Sequence, residues 1–342
     1  MEKRSFASDN NSGVHENILN ALKEANKNDY IAYGDDPITK KAIRNFKEIF
    51  GDDINVFLVL TGTGANVLGL KTVLRSYNSV IATDFSHINV DEVGAIENNI
   101  GCKINLIPTE DGKLDIRKAK NLLHVKGVQH HSQPKAISIS QTTEMGTVYS
   151  IDEIKNIADF AHNNDMYLHM DGARISNAAV SLEKSFKEFT KDAGVDILSF
   201  GGTKNGMLIG EAVVFMNKKL GKDFKYLRKE GLNLYSKMRY LSAQFNEFFK
   251  NDLWHKNAAH ANNMAKYLKK KVEKFNEVEI TQNVDANAIF AKIPKNKIKK
   301  LQKEHFFYIW DNGEGIVRWM TSFQTKKKDI DTFVEILEKY LK

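Results

Sequence analysis

Short, almost unbroken apolar runs recur along the first two thirds of the chain, and they limit the fold more than any other feature. They are Val56–Leu60, Val80–Ala82, Ile104–Ile107, Ala136–Ile139, Met166–Met170, Ile197–Phe200 and Ala212–Met216. Runs of this length and β-branched content suit strands covered on both faces. Helical patterns lie between most of them. One covers Ala65 to Leu74. Another begins at Ser150, where Glu153 completes a capping box and Ile154, Ile157, Ala158 and Ala161 form an apolar stripe. Alternation of strand and helix predicts an α/β fold: a mostly parallel sheet with helices on both faces.

After about Gly231 the rhythm changes. Lys-rich amphipathic helices run from Leu234 to about Lys274. Strand-like Ala288–Lys292, Phe306–Trp310 and Gly315–Met320 follow, then a closing helix from Lys328 to Leu341. The expected division is an N-terminal segment, 1–30, packing with a small domain; a large domain, 31–231; and the smaller C-terminal α/β domain, 232–342. No linker rich in Pro, Gly or Ser marks the boundary.

Composition narrows the classes. Of 342 residues, 42% are hydrophobic and 27% charged, which is a globular balance. The start has no apolar stretch suited to a signal peptide, and Val56–Leu60 is much too short to span a bilayer. Cys102 is the one cysteine, so no internal disulfide forms and a reducing, cytoplasmic setting is expected. The formal net charge is +7. Its late lysine groups, Lys269–Lys271, Lys299–Lys300 and Lys326–Lys328, read as solvated helix faces. A nucleic-acid or membrane partner is not expected; a small molecule is.

In a sheet of this kind ligands bind beyond the carboxyl ends of the strands. The first such end carries Thr61-Gly62-Thr63-Gly64 before a helix, which suits a phosphate cradle. It also starts a dinucleotide fingerprint, with Asp84 after the next strand, but Val67 holds the third glycine position. Asp84-Phe85-Ser86-His87 offers an imidazole that could lie over a cofactor ring or act as acid or base. Asp171-Gly172-Ala173-Arg174 ends another strand. Its aspartate could pair with Arg174, or face a protonated pyridine nitrogen. Gly201-Gly202-Thr203-Lys204-Asn205-Gly206 follows the next. There a lysine stripped of water would be nucleophilic enough to form a Schiff base, and the flanking glycines would leave room for a planar group.

The order of these signals, with their surrounding residues, resembles the threonine aldolase and β-eliminating lyase group of fold-type-I pyridoxal-phosphate enzymes. Phe6-Ala7-Ser8-Asp9-Asn10 is similar to that family's opening motif, and Tyr33-Gly34-Asp35-Asp36-Pro37 to its most distinctive string. Thr61 to Asn66, Asp171 to Arg174 and Lys204 also match. Lys237-Met238-Arg239 and Val317-Arg318 fall where the family has basic motifs. Two strings depart: Gln141-Thr142-Thr143-Glu144 stands where many relatives have Glu-Asn-Thr-His, and Thr203 where many have Ser.

The resemblance implies an aspartate-aminotransferase-like large domain, pyridoxal 5′-phosphate as cofactor, and a homo-oligomer, dimer or tetramer, with shared sites. Lys204 would hold the cofactor, Asp171 its pyridine nitrogen, and His87 its ring face. Gly62, Thr63 and Arg228 would bind its phosphate. Ser8, Arg174 and Arg318 would hold a substrate carboxylate, Arg174 lying against the cofactor as well, and Tyr33 would reach across an interface. The base is His87 or His131. The implied reaction is retro-aldol cleavage of L-threonine or L-allo-threonine to glycine and an aldehyde. Alternatives are β-elimination or transamination on the same scaffold, a nucleotide-dependent oxidoreductase, and a basic binding protein without activity.

Overall fold

The computed structural model describes residues 5–341; residues 1–4 of the expected N-terminal segment lie outside them. In chain order the first part comprises α1 (Glu16–Ala25), α2 (Pro37–Phe50), β1 (Asn55–Val59), α3 (Gly62–Val73), β2 (Asn78–Thr83), α4 (His87–Val90), α5 (Ala95–Ile100), β3 (Lys103–Ile107), α6 (Ile116–Asn121), β4 (Gln133–Ser140), α7 (Ile151–His162), β5 (Tyr167–Gly172), α8 (Ile175–Leu182), β6 (Ile197–Gly201) and β7 (Glu211–Phe215). The rest comprises α9 (Phe224–Glu230), α10 (Met238–Phe249), α11 (Leu253–Val272), β8 (Glu279–Ile280), β9 (Ala288–Lys292), α12 (Lys295–Glu304), β10 (Tyr308–Asp311), β11 (Ile316–Met320) and α13 (Lys327–Leu341).

Each apolar run became a strand. They form a seven-stranded sheet in the order β1-β7-β6-β5-β4-β2-β3. Only β7 runs against the others, pairing antiparallel with both β6 and β1. The carboxyl ends of β1, β2, β4, β5 and β6 therefore share one edge of the sheet. One expectation fails. β3 is an edge strand with exposed Lys103 and Leu106, so it is not covered on both faces. Its run length looked like the others because length does not report strand order.

Local chemistry sets the helix ends. Ser150 Oγ accepts the Glu153 N–H at 3.2 Å, and Glu153 Oε2 accepts the Ser150 N–H at 2.7 Å, closing the capping box that starts α7. Asp36 Oδ1 accepts the Thr39 N–H at 2.8 Å, and Pro37 opens α2. So the latter half of the Tyr33–Pro37 string starts a helix. Gly34, at φ 97°, supplies the turn before it.

The second sheet, β10-β11-β9-β8, is antiparallel. It packs with α11, α12 and α13 around Trp319, Phe333, Leu268 and Leu301. Phe6 enters this core, and its backbone bonds Phe306 O and the Met320 N–H. The expected break after residue 231 does not coincide with a change of core. Met238, Leu241, Phe245 and Phe248 of α10 pack into the large-domain core with Phe46, Phe50 and Phe200, as does Ile18 of α1. Only later, along α11 at Met264, Ala265 and Leu268, does the chain enter the second core. Amphipathic periodicity announces a buried helix face but not which core buries it.

Candidate active site

Two glycines bring the chemistry together. A Cβ on Gly201 would lie 2.7 Å from the Ala173 backbone, and one on Gly172 would lie 2.8 Å from Ser199 O. The ends of β5 and β6 close on each other because neither has a side chain there. The Asp171 strand end and the Lys204 turn are thus held side by side. This corrects one expectation: the glycines beside Lys204 do not leave space for a ligand. Gly202 is backed by Met207 and Gly206 by Asn257, whose Nδ2 donates to Asn205 O at 2.9 Å.

Lys204 is half-buried and makes no hydrogen bond or ion pair among the described residues. Burial lowers its pKa, and the Arg174 charge lowers it further, against the opposing pull of Asp9 and Asp171. Asp171 is buried. Its Oδ2 accepts from Asn66 Nδ2 at 2.8 Å and its Oδ1 from the Ala173 N–H at 2.9 Å. Burial pushes its pKa up, but His87, Asn66, Lys204 and the Ala173 N–H together bring it below the usual value. The charged form is therefore favoured. Asp171 does not pair with Arg174. That guanidinium makes a two-point ion pair with buried Asp9, Nε to Oδ2 at 2.7 Å and Nη2 to Oδ1 at 2.9 Å.

His87 opens α4 just beyond β2. Its Nδ1 lies 2.9 Å from Glu92 Oε1, and its backbone N–H donates to Glu144 Oε1 at 2.7 Å. The Glu92 bond raises its pKa despite partial burial. Thr61 Oγ1 takes the Gly64 N–H at 3.0 Å, leaving the N–H groups of Gly62 and Thr63 as open donors of the first turn of α3. A Cβ on Gly62 would meet nothing within 4 Å, so that turn faces open space. Arg318, on β11, donates from Nη2 to Ala7 O at 3.1 Å beside Ser8, while its Nε is buried without a partner. Burial lowers its pKa to about 10.

His131, Tyr33 and Arg228 make no hydrogen bond or ion pair with Lys204 or Asp171 among the described residues. His131 is exposed just before β4, whereas Ser140, at the far end of that strand, is the residue in register with Asp171. The whole of β4 separates His131 from Lys204 within one chain. Tyr33 is exposed on a turn tied to Ser236 O through its N–H, with the Lys229 amine 5.2 Å from its ring. Arg228 donates to Leu58 O at 3.1 Å on the strand below the phosphate turn, and lies over the Phe57 ring. Asp84, the acid of the nucleotide reading, accepts the Thr109 N–H at 3.2 Å instead.

The structure adds residues that the sequence reading assigned no role. Asn66 lies one turn into α3 and bonds both Asp171 and Glu92. Glu144 stands at the departing string; burial raises its pKa to about 7, and its Oε2 is buried and unpartnered. Glu211 begins β7 close to Lys204 and is also pushed up to about 7 by burial. A buried acid in an otherwise apolar strand run is the signal that could have found Glu211.

A model of the beta-eliminating lyase family matches residues 5–295. The chain belongs to that family. This beta-eliminating lyase family member is 40% identical over 321 residues to low specificity L-threonine aldolase of Pseudomonas aeruginosa, covering 94% of this chain and 93% of that one. It is 38% identical over 327 residues to the enzyme so named from Pseudomonas sp., covering 95% and 94%. A solved structure of threonine aldolase from Leishmania major superposes with a TM-score of 0.93 at 31% identity over 99% of both chains. No helix among the family member's described residues is long and apolar enough to cross a membrane.

Proposed function

We propose that this protein uses pyridoxal 5′-phosphate to cleave β-hydroxy-α-amino acids, L-threonine and L-allo-threonine among them, to glycine and an aldehyde. The single observation that carries the reading is the unpaired, half-buried Lys204 amine held beside a buried, charged Asp171 at one edge of the sheet. The names of the Pseudomonas and Leishmania relatives support it.

The residues present fit that cofactor. Open N–H groups at the start of α3, an unpaired lysine, a charged acid and the unpartnered buried Glu144 Oε2 are what a flat phosphorylated ring would satisfy. Lys204 would hold it covalently, Asp171 would face its ring nitrogen, Gly62 and Thr63 would donate to its phosphate, and His87 would cover its ring. Bound there, the cofactor supplies an electron sink for the carbon–carbon bond being broken.

The chain's own groups do the rest. Arg318, with Ser8 and Arg174, would bind the substrate carboxylate and fix its orientation. Because Arg174 is already forked onto Asp9, Arg318 carries the larger share. His87 would accept the β-hydroxyl proton at Nε2, the ring nitrogen not bonded to Glu92. Arg228 sits against the strand beneath the phosphate turn and would act on the phosphate through that strand.

The reading extends to a cytoplasmic homo-oligomer. Ile31, Tyr33, Leu232 and Tyr235 are exposed on two segments joined by the Tyr33 N–H to Ser236 O bond, and a second copy would cover them. Cys102 is buried and free, as in a reducing compartment.

The test is Lys204→Ala. The parent is expected to be yellow, to yield a borohydride-trapped adduct on Lys204, and to convert L-threonine to glycine and acetaldehyde; the variant is expected to lose the adduct. A colourless parent, or equal trapping in the variant, defeats the reading. Ammonia and a keto acid as products would instead assign β-elimination.

A further inference from the structure

His87 is held by more than its place on α4. Its Nδ1 lies 2.9 Å from Glu92 Oε1, and the Glu92 side chain is fully shielded from solvent. Asn66 Nδ2 then spends one hydrogen on that same Glu92 oxygen and the other on Asp171 Oδ2, each at 2.8 Å. The result is an unbroken chain, His87–Glu92–Asn66–Asp171, across three separate elements. His87, Glu92 and Asp171 each place a side-chain atom within 4.8 Å of the other two. Glu92 Oε2 and Asn66 Oδ1 are buried without partners. An acid buried at that expense, solely to touch an imidazole and the amide beside it, is not explained by packing.

We propose that Glu92 is a positioning residue for His87: its carboxylate holds the imidazole by Nδ1–H, leaving Nε2 as the ring atom that exchanges a proton in the site. The inference rests on the reading of His87 given under Proposed function. Asn66, by bonding Glu92 and Asp171 with one amide, keeps the proton-handling histidine in register with the acid assigned to the cofactor's nitrogen.

The charged groups around His87 are few. Glu92, on the loop after α4, and Asp171, on β5, favour its protonated form; burial and Lys204, beyond β6, oppose it. Glu144, beyond β4, meets His87 through the backbone N–H, not the ring, and also accepts from Ser140 Oγ at 2.6 Å. Glu92 is the strongest of these influences, so removing its charge lowers the pH at which His87 loses its proton.

The test uses the holoenzyme and the variants Glu92→Gln and Glu92→Asp. Glutamine keeps an oxygen for Nδ1–H and removes the charge. NMR of ¹³C-labelled histidine, with His87 assigned from His87→Asn, reads the titration directly. In Glu92→Gln the His87 midpoint is expected to fall by about one pH unit or more, and the acid limb of the kcat/KM profile should move down with it. In Glu92→Asp, which retains the charge at a longer reach, the shift should be smaller. Unchanged His87 titration with a merely lowered kcat would make Glu92 structural and overturn the proposal. If Glu92→Gln does not fold, an unmoved midpoint and acid limb in Glu92→Asp overturn it equally. A parent that lacks the cofactor's visible absorbance would instead sink the functional reading, not this one.

Discussion

Arg174 and Asp9 form a buried two-point ion pair that fastens the N-terminal segment to the end of β5. Asp9 also accepts from Asn287 Nδ2 at 3.1 Å, tying in the second domain. Burial pushes the Asp9 pKa up, yet Arg174, Lys204 and Asn287 together hold the carboxyl below its usual value. Asp9→Ala would strand a largely buried guanidinium. A loss of about 3–5 kcal/mol in denaturant-unfolding stability is expected, and Asp9→Asn should lose less because it keeps a hydrogen-bonding oxygen. A loss under 1 kcal/mol for Asp9→Ala would show the pair to be dispensable.

Arg318 has a different test. Its Nη2 bonds only a backbone carbonyl, Ala7 O, and its Nε is buried and bare. If it grips the substrate carboxylate, Arg318→Ala raises the KM for L-threonine about 10- to 100-fold, the value of one charge-assisted contact. Arg318→Lys should recover only part, since an ammonium lacks the fork. An unchanged KM in steady-state assays counts against the role.

Glu144 links the site to pH. Its folded pKa is about 7 against a usual 4.5, raised chiefly by burial. An acid with a raised folded pKa binds more protons folded than unfolded. Its contribution is therefore full below about pH 4.5 and lost as pH rises through about 7. Glu144→Gln removes that dependence. Relative to the parent, the variant should gain about 2.5 kcal/mol between pH 5 and pH 8 in denaturant melts of the cofactor-free protein. Parallel curves for the two proteins would contradict the buried, protonated acid.

Gly201 allows a geometric prediction. An added Cβ would sit 2.7 Å from the Ala173 backbone, which cannot yield as a flexible side chain would. Gly201→Ala should cost about 1–3 kcal/mol and move the Asp171 strand end away from Lys204, weakening cofactor retention as well as stability. Gly62→Ala, beside open space, should leave stability nearly unchanged. Equal stability losses for the two in thermal melts would refute the packing argument.

The sequence by itself determined the elements and the reactive turns. Strand runs, the Ser150–Glu153 box and the turns bearing Gly62, His87, Asp171 and Lys204 rest on interactions within a few residues, so they can be read along the chain. Tertiary structure alone decided the partners. It set Asp9 against Arg174 across 165 positions, gave Asn66 two acids, put β3 at the sheet edge, and gave α10 to the large-domain core. It also put His131 at the end of β4 away from Asp171 in the same chain. The reason is that strand order and direction choose which distant groups share a sheet edge, and a buried charge then takes whichever partner that edge supplies.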